Sequence, residues 1–267
     1  MEVISVMIFE THAHYDDEAF DEDREVLLSS LPGNGIEYVV NVSASIQGCH
    51  DTIKLVQQYD FMYGALGIHP DEVGGLCAQD IDMIKDLAGS NSKIVAIGET
   101  GLDYYEVSGS TRPKTTRKEQ QKWFECQLEL ARELSLPVMI HSREAAKDTE
   151  DILRAAHAEE IGGIIHCYSY SKESAKFYLN NGFYLGIGGV VTFKNGRVLK
   201  EVVEYAPLTQ LVLETDSPYL APVPNRGKRN SSLNIPHIAR EIAAIKGVSY
   251  DEVVNVTCSN ARKLLGI

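Results

Sequence analysis

Two histidines spaced by one residue, His12 and His14, end an apolar run near the start of the chain, and Asp216 follows another such run far downstream. Between them Glu99, His141 and His166 stand within or just past similar runs. Residues i and i+2 of a β-strand share a face, so His12 and His14 present both imidazoles to one side. Imidazole nitrogens and carboxylate oxygens are the donors that borderline and hard divalent cations accept. Six such groups on different strand ends converge only if the strands gather round one axis. The chemistry that would result is metal-dependent hydrolysis.

Two cations ~3.5–4 Å apart can clamp both the attacking and the leaving oxygen of a displacement, and a shared carboxylate offsets their mutual repulsion. Glu99, from the strand between the two histidine sets, is the natural bridge. His12 and His14 then serve one cation, while His141 and His166 serve the other. Asp216 joins the first and takes a proton from the attacking water. Glu99 and Asp216 are therefore the expected catalytic pair. A lone His-x-His, or one strand-end histidine, carries little weight, because packed structural histidines are common. The joint placement carries the argument.

The elements that must position these residues are legible as alternating strand-like and helix-like segments. Strands are predicted at Met7–Thr11, Tyr38–Val42, Met62–Gly67, Ile94–Gly98, Pro137–His141, Gly163–His166, Phe183–Ile187 and Leu211–Glu214. Most are continuous apolar runs, as parallel strands buried on both faces read. Helices are predicted at Glu18–Ser30, Ile46–Tyr59, Gln79–Ala88, Arg117–Leu134, Glu144–His157, Lys172–Asn180 and Arg197–Tyr205. Pro236–Lys246, Tyr250–Val256 and Asn260–Leu265 follow as a helical tail. Eight strand–helix units in this length match a (β/α)8 TIM barrel in a single domain, 1–267, whose strand C-termini carry the active site. A doubly wound open sheet is the rival, but it usually places a glycine-rich loop after its first strand.

With 267 residues, 44% of them hydrophobic and 24% charged, the chain has the composition of an ordinary globular domain. No apolar stretch is long enough to span a bilayer. The opening Met1–Phe9 lacks the basic region and cleavage site of a signal peptide. Five cysteines without a C-x-x-C pair fit a reducing compartment, so a cytoplasmic location is expected. A net charge of −13 disfavours a broad basic DNA-wrapping surface, although bound cations can offset the field at a phosphodiester site.

Several segments, taken together, resemble the TatD-type metal-dependent DNases, a branch of the amidohydrolase-like barrels. They are Phe9-Glu10-Thr11-His12-Ala13-His14, Gly67-Ile68-His69-Pro70, Ile97-Gly98-Glu99-Thr100-Gly101-Leu102-Asp103 and Ile140-His141-Ser142-Arg143. His166-Cys167-Tyr168-Ser169, Glu214-Thr215-Asp216-Ser217-Pro218-Tyr219-Leu220, Arg226-Gly227-Lys228-Arg229-Asn230 and Asn260–Leu265 continue the series in order. The resemblance implies metal binding by His12, His14, Glu99, His141, His166 and Asp216. It further implies divalent-cation-dependent hydrolysis of DNA phosphodiesters, typically exonucleolytic on single-stranded or frayed ends. His69 and Arg143 match positions that contact the substrate phosphate in that family. Mg²⁺ or Mn²⁺ suits the chemistry, and a histidine-rich shell also suits Zn²⁺. An alternative within the same superfamily is hydrolysis of another bond, such as the ester of a misacylated tRNA. No obligate protein partner is inferred.

Arg226 and Lys228, just after strand eight, are expected to contact nucleic acid, whereas Lys114–Lys118 reads as an exposed loop. Tyr104, Tyr105, Tyr168 and Tyr219 follow strands on the same side and either stack on bases or pack under loops. The acids Asp16-Asp17-Glu18 and Asp21-Glu22-Asp23 read as a solvated helix start. Two departures from the family stand out. Glu10 occupies the place of its usual Asp, and by strand alternation it shares the face of His12 and His14 as a hydrogen-bond acceptor behind the site. Ser231-Ser232 follow Asn230 where the family often continues Glu-Pro, which bears on substrate preference.

Overall fold

Eight short segments pair side by side, all parallel and in chain order, in a computed structural model that describes residues 7–105 and 115–267. They are β1 (Ile8–Ala13), β2 (Ile36–Val42), β3 (Met62–Leu66), β4 (Ile94–Asp103), β5 (Val138–Arg143), β6 (Gly163–Ile165), β7 (Tyr184–Ile187) and β8 (Leu211–Leu213). Residues 1–6 of the apolar opening and Lys114 of the basic stretch lie outside the described residues. The ring is almost closed: β1 meets β8 through one parallel bridge, Ala13 to Ser217, and Thr11 Oγ1 donates to Leu213 O at 3.0 Å. Eight parallel strands with helices around them form a single TIM-barrel-like α/β domain.

The helices are α1 (Arg24–Ser30), α2 (Ile46–Gln58), α3 (Ala78–Gly89), α4 (Arg117–Leu134), α5 (Ala146–Ala155), α6 (Lys172–Asn180), α7 (Arg197–Tyr205), α8 (Ile235–Lys246) and α9 (Tyr250–Leu265). Serine and threonine start several of them. Ser45, Thr116, Ser171 and Ser249 each accept a first-turn backbone N–H, and Thr116 with Glu119 completes a reciprocal capping box. In α4 the buried Trp123, Phe124, Leu128 and Ala131 recur at helical spacing and face the sheet.

Three predicted elements differ. The first predicted helix is a 3-10 turn, Glu18–Phe20, followed by α1, because the Arg24 side chain reaches back to Tyr15 O at 2.6 Å and Asp17 O at 3.0 Å and folds the acidic segment round itself. β4 runs on to Asp103, through glycines that mask a strand in the sequence. The tail carries one continuous α9: Thr257 bonds within the helix to Val253 O, and Asn260 Nδ2 donates outward to Leu208 O and Leu211 O.

Two apolar layers result. Between strands and helices lies the larger core, with Val39, Leu66, Ile97, Ile140, Ile165 and Leu213 among its members. A smaller cluster takes the opposite strand face: Phe9, Val40, Ala65, Val95, Met139, Ile164 and Val212 meet Cys258, Ala261 and Leu265 of α9. Contributions from seven strands meeting at one place identify that face as the barrel interior, plugged from below by α9.

Candidate metal centre

The interior positions continue upward at the two-residue period of a strand. Met139 is followed by His141, Ile164 by His166, Tyr184 by Gly186 and Val212 by Glu214. Apolar packing thus gives way to ionisable groups within one pleat. The strands set the heights, and α4 fixes two backbones beside the site. Its buried Gln127 accepts from Ile68 N at 2.8 Å and donates to Ile68 O at 3.1 Å, next to His69. Its buried Gln120 makes the same pair of bonds with the N and O of Asp103, at 2.9 and 3.0 Å. Gly101, at φ 140°, lets β4 pass close to β5; a Cβ there would lie 1.9 Å from His141 O.

All six predicted ligands come together around Glu99, which is only 3% exposed. Its Oε2 lies 3.5 Å from both His12 Nε2 and His14 Nε2. Its Oε1 lies 2.7 Å from His141 Nδ1 and 3.6 Å from His166 Nε2. One carboxylate therefore faces two histidine pairs with its two oxygens. Asp216 Oδ1 is 3.4 Å from His14 Nε2 and 3.8 Å from His166 Nε2, so it stands between the two sets rather than beside the first alone. Asp216 N donates to His12 O at 3.0 Å, fixing the acid against β1.

The charges within this cluster respond to one another. Burial opposes protonation of His14, but Asp216 and Glu99 outweigh it and lift the imidazole to about 10. His141 likewise rises to about 10 against burial, through Asp103 and Glu99. Burial also penalises the Glu99 and Asp216 charges, yet the surrounding histidines hold both acids below the usual carboxylate range. His12 goes the other way, depressed by burial and by His166. Clustered buried acids demand positive charge, and protons or cations can supply it.

Hydrogen bonds on the far ring nitrogens sort the histidines further. His14 Nδ1 lies 2.7 Å from Val42 O, which assigns it a proton and makes Nε2, beside Glu99 and Asp216, the nitrogen a cation would take in exchange for the other. His141 Nε2 faces Asp103 Oδ2 at 3.3 Å, so Nδ1, bonded to Glu99 Oε1, is the nitrogen a cation would take in exchange for that contact. His69 is the opposite case. Its Nδ1 accepts from Asp71 N at 3.1 Å, so Nε2 carries the proton and points toward Glu99, 4.0 Å from Oε1. Burial and His141 depress His69 to about 3, which keeps it a neutral N–H donor. Compact donor groups of the kind that hold a cation are His12–His14–Asp216, His69–Glu99–His141, His166–Cys167–Asp216 and His12–His166–Glu214. By its tautomer, His69 presents an N–H to the cluster where a ligand would present a lone pair.

A cavity of about 650 Å³ opens over this cluster. Arg143 is the one lysine or arginine among its described lining residues; its guanidinium stacks 3.7 Å from the Tyr105 ring centroid and lies 3.9 Å from Asp103. Asp16, Asp17, Asp71 and Glu72 also line it, an acidic rim that the sequence reading assigned to a helix start or left aside. Arg226 and Lys228 are not brought into the cavity. Arg226 lies over the Phe193 ring at 4.4 Å, and Arg229 beside them is tied to Asp23 at 2.6 Å. Tyr104 and Tyr168 are buried packing residues, whereas Tyr105 and Tyr219 are exposed at the rim.

Glu10 does not share the ligand face. A register shift between Glu10 and Ala13 breaks the alternation. The buried carboxylate accepts from His12 N at 3.1 Å, Thr215 N at 2.9 Å, Thr215 Oγ1 at 2.6 Å and Ser232 Oγ at 3.1 Å. Burial raises its pKa to about 8 although these donors oppose the shift. The two departures from the family pattern therefore meet in one contact, Glu10 to Ser232, which ties β1 to the loop after Asn230. Asp103 and Glu214, which the sequence reading gave no role, back two of the histidines. Parity was the available signal, since Asp103 is four residues from Glu99 and Glu214 two from Asp216.

Residues 9–266 match the family described as TatD related DNase. An uncharacterized metal-dependent hydrolase of Bacillus subtilis, YabD, is 39% identical over 98% of this chain and 100% of its own length. A 3'-5' ssDNA/RNA exonuclease, TatD of a Rahnella species, is 31% identical over 97% of this chain and 98% of its own length. The crystal structure of YJJV, a TatD homologue of Escherichia coli K12, has the same fold at a TM-score of 0.90, covering 99% of this chain and 100% of that one at 24% identity.

Proposed function

We propose that this chain, which belongs to the TatD-related DNase family of metal-dependent hydrolases, cleaves phosphodiester bonds at single-stranded or frayed DNA ends. The observation that carries the reading is the division of Glu99 between two histidine pairs, the arrangement a bridging carboxylate needs if two cations are to sit close together. The donor set of nitrogens and carboxylates fits divalent cations, Mg²⁺ or Mn²⁺ for turnover and Zn²⁺ as an alternative occupant. When bound, such ions supply the positive charge that stabilises both oxygens of an in-line displacement. His12, His14 and Asp216 would hold one, and His141 and His166 the other, with Glu99 shared.

The chain's own groups divide the remaining work. Asp216, held ionised by His14 and His166, is the base that accepts a proton from the attacking water. His69 donates its Nε2–H to a phosphoryl oxygen, and Arg143 supplies the cationic contact at the rim. The acidic rim disfavours a long polyanion lying across the cavity and favours entry of a single terminal phosphodiester. The exonuclease activity of the 31% identical relative supports the same substrate class. The decisive test is digestion of labelled single strands blocked at the 3′ or the 5′ end, with Mg²⁺ or Mn²⁺. Trimming from one unblocked end, lost in Asp216→Asn, is expected. Absence of cleavage, or cleavage equal in the variant, overturns the reading.

A further inference from the structure

Glu214 is fully buried just past β8, behind His166. Its Oε1 accepts from Cys167 N at 2.6 Å and lies 3.2 Å from His166 Nδ1. Its Oε2 has no hydrogen-bond partner among the described residues, and neither do the buried Nδ1 atoms of His12 and His166. His12, His166 and Glu214 offer donor atoms within 4.8 Å of one another. The two rings stack with centroids 3.5 Å apart and planes 16° apart, and both Nε2 atoms lie beside Glu99. Strand β7 also makes room for this acid: a Cβ on Gly186 would stand 2.1 Å from Glu214 Oε2. Unpaired polar atoms are costly to bury, so an acid inserted here at the expense of a side chain calls for a partner.

We propose that Glu214 is a positioning residue shared by His12 and His166, one carboxylate oxygen serving each Nδ1–H, so that each Nε2 lone pair is aimed at the cation its own histidine would hold beside Glu99. This rests on the reading that the two histidines are metal ligands. His14 and His141 already have such acceptors, Val42 O and Asp103. Glu214 completes the set for the remaining pair. A carboxylate behind a ligating imidazole fixes its tautomer and raises its basicity, and loss of such a partner typically costs about 10–100-fold in metal affinity.

Isothermal titration with Mn²⁺ and with Zn²⁺ measures the affinity, and long-range ¹H–¹⁵N spectra of the Zn²⁺-loaded protein report the tautomers. The wild type is expected to show His12 and His166 protonated at Nδ1. Glu214→Gln offers one acceptor and one donor, so one imidazole is expected to leave that tautomer and affinity to fall about 10–100-fold. Gly186→Ala, which displaces the carboxylate, is expected to act in the same direction, with part of the affinity restored by adding the shorter Glu214→Asp. Wild-type affinity and tautomers in Glu214→Gln overturn the proposal alone. So does a wild type with His12 protonated at Nε2, a readout that needs no variant to fold. A wild type that binds neither cation overturns the underlying metal reading and this proposal together.

Discussion

Met139, Ile164 and Val212 pack the lower interior of the barrel, whereas His141, His166 and Glu214, each two residues further along the same strand face, fill the upper. The lower layer removes apolar surface from water, the dominant favourable term in folding. The upper layer gathers carboxylates and imidazoles that must be held against burial and mutual repulsion. One pleat separates a layer held by apolar burial from one held by the balance of its charges. Stability and chemistry are therefore separable by substitution along a single strand, and each of the following experiments tests that separation.

The largest effect is expected at Asp216. Replacing its carboxylate in Asp216→Asn should lower the cleavage rate by about 10²–10⁴-fold, the usual worth of a positioned base. The urea midpoint at neutral pH should fall only modestly, because the fold holds this carboxylate ionised against His14 and His166 and loses that contribution. A fall in stability as large as that of a core truncation would erase the distinction between the layers. Next comes the converse, Met139→Ala, expected to cost about 2–5 kcal/mol in unfolding free energy. Its folded fraction should still cleave within a few fold of wild type, and a loss of activity beyond the loss of folded protein would show the layers to be coupled.

Supplying the cation should add to what the upper layer contributes. At one hundred times its dissociation constant, a divalent ion is expected to add about 2.7 kcal/mol, read as a rise in melting temperature that a chelator reverses. His14→Ala should abolish most of that rise while Met139→Ala keeps it. The smallest effect is expected at Glu10→Asp. A shorter acid gives up the reach to Ser232 Oγ, a loss of about 1 kcal/mol. Chemical denaturation of Glu10→Asp beside Ser232→Ala and the double variant measures it; additive losses would show that the two residues do not act through their contact.

Much of the lower layer was legible in the sequence, because strands buried on both faces announce themselves as apolar runs. The convergence of His12, His14, Glu99, His141, His166 and Asp216 followed from their strand ends. Polar residues in buried, specific roles were harder to read. Thr257 and Asn260 look like helix breaks until their bonds to Val253, Leu208 and Leu211 are seen. Glu10 was assigned by alternation to the ligand face, and a local register shift sent it elsewhere. Arg226 and Lys228 follow strand eight in the chain but lie away from the cavity lining, since sequence position fixes a loop's origin and not its course. Glu214 gives no sign in the sequence, because the room for its carboxylate depends on a glycine in the neighbouring strand.

The weak join between β1 and β8 has a consequence for the order in which the molecule is made. His12 and His14 stand on one side of that join and Asp216 on the other, with Asp216 N and His14 N bonded across it to His12 O and Ser217 O. Synthesis runs from His12 toward Asp216, so the acid follows the histidines by more than 200 residues. Until it is added, the first strand has no eighth to meet, and the proposed cation-binding set lacks one of its acids. Ring closure and completion of that set are thus the same late event. A nascent barrel remains without its full proposed cation-binding set until its eighth strand has emerged.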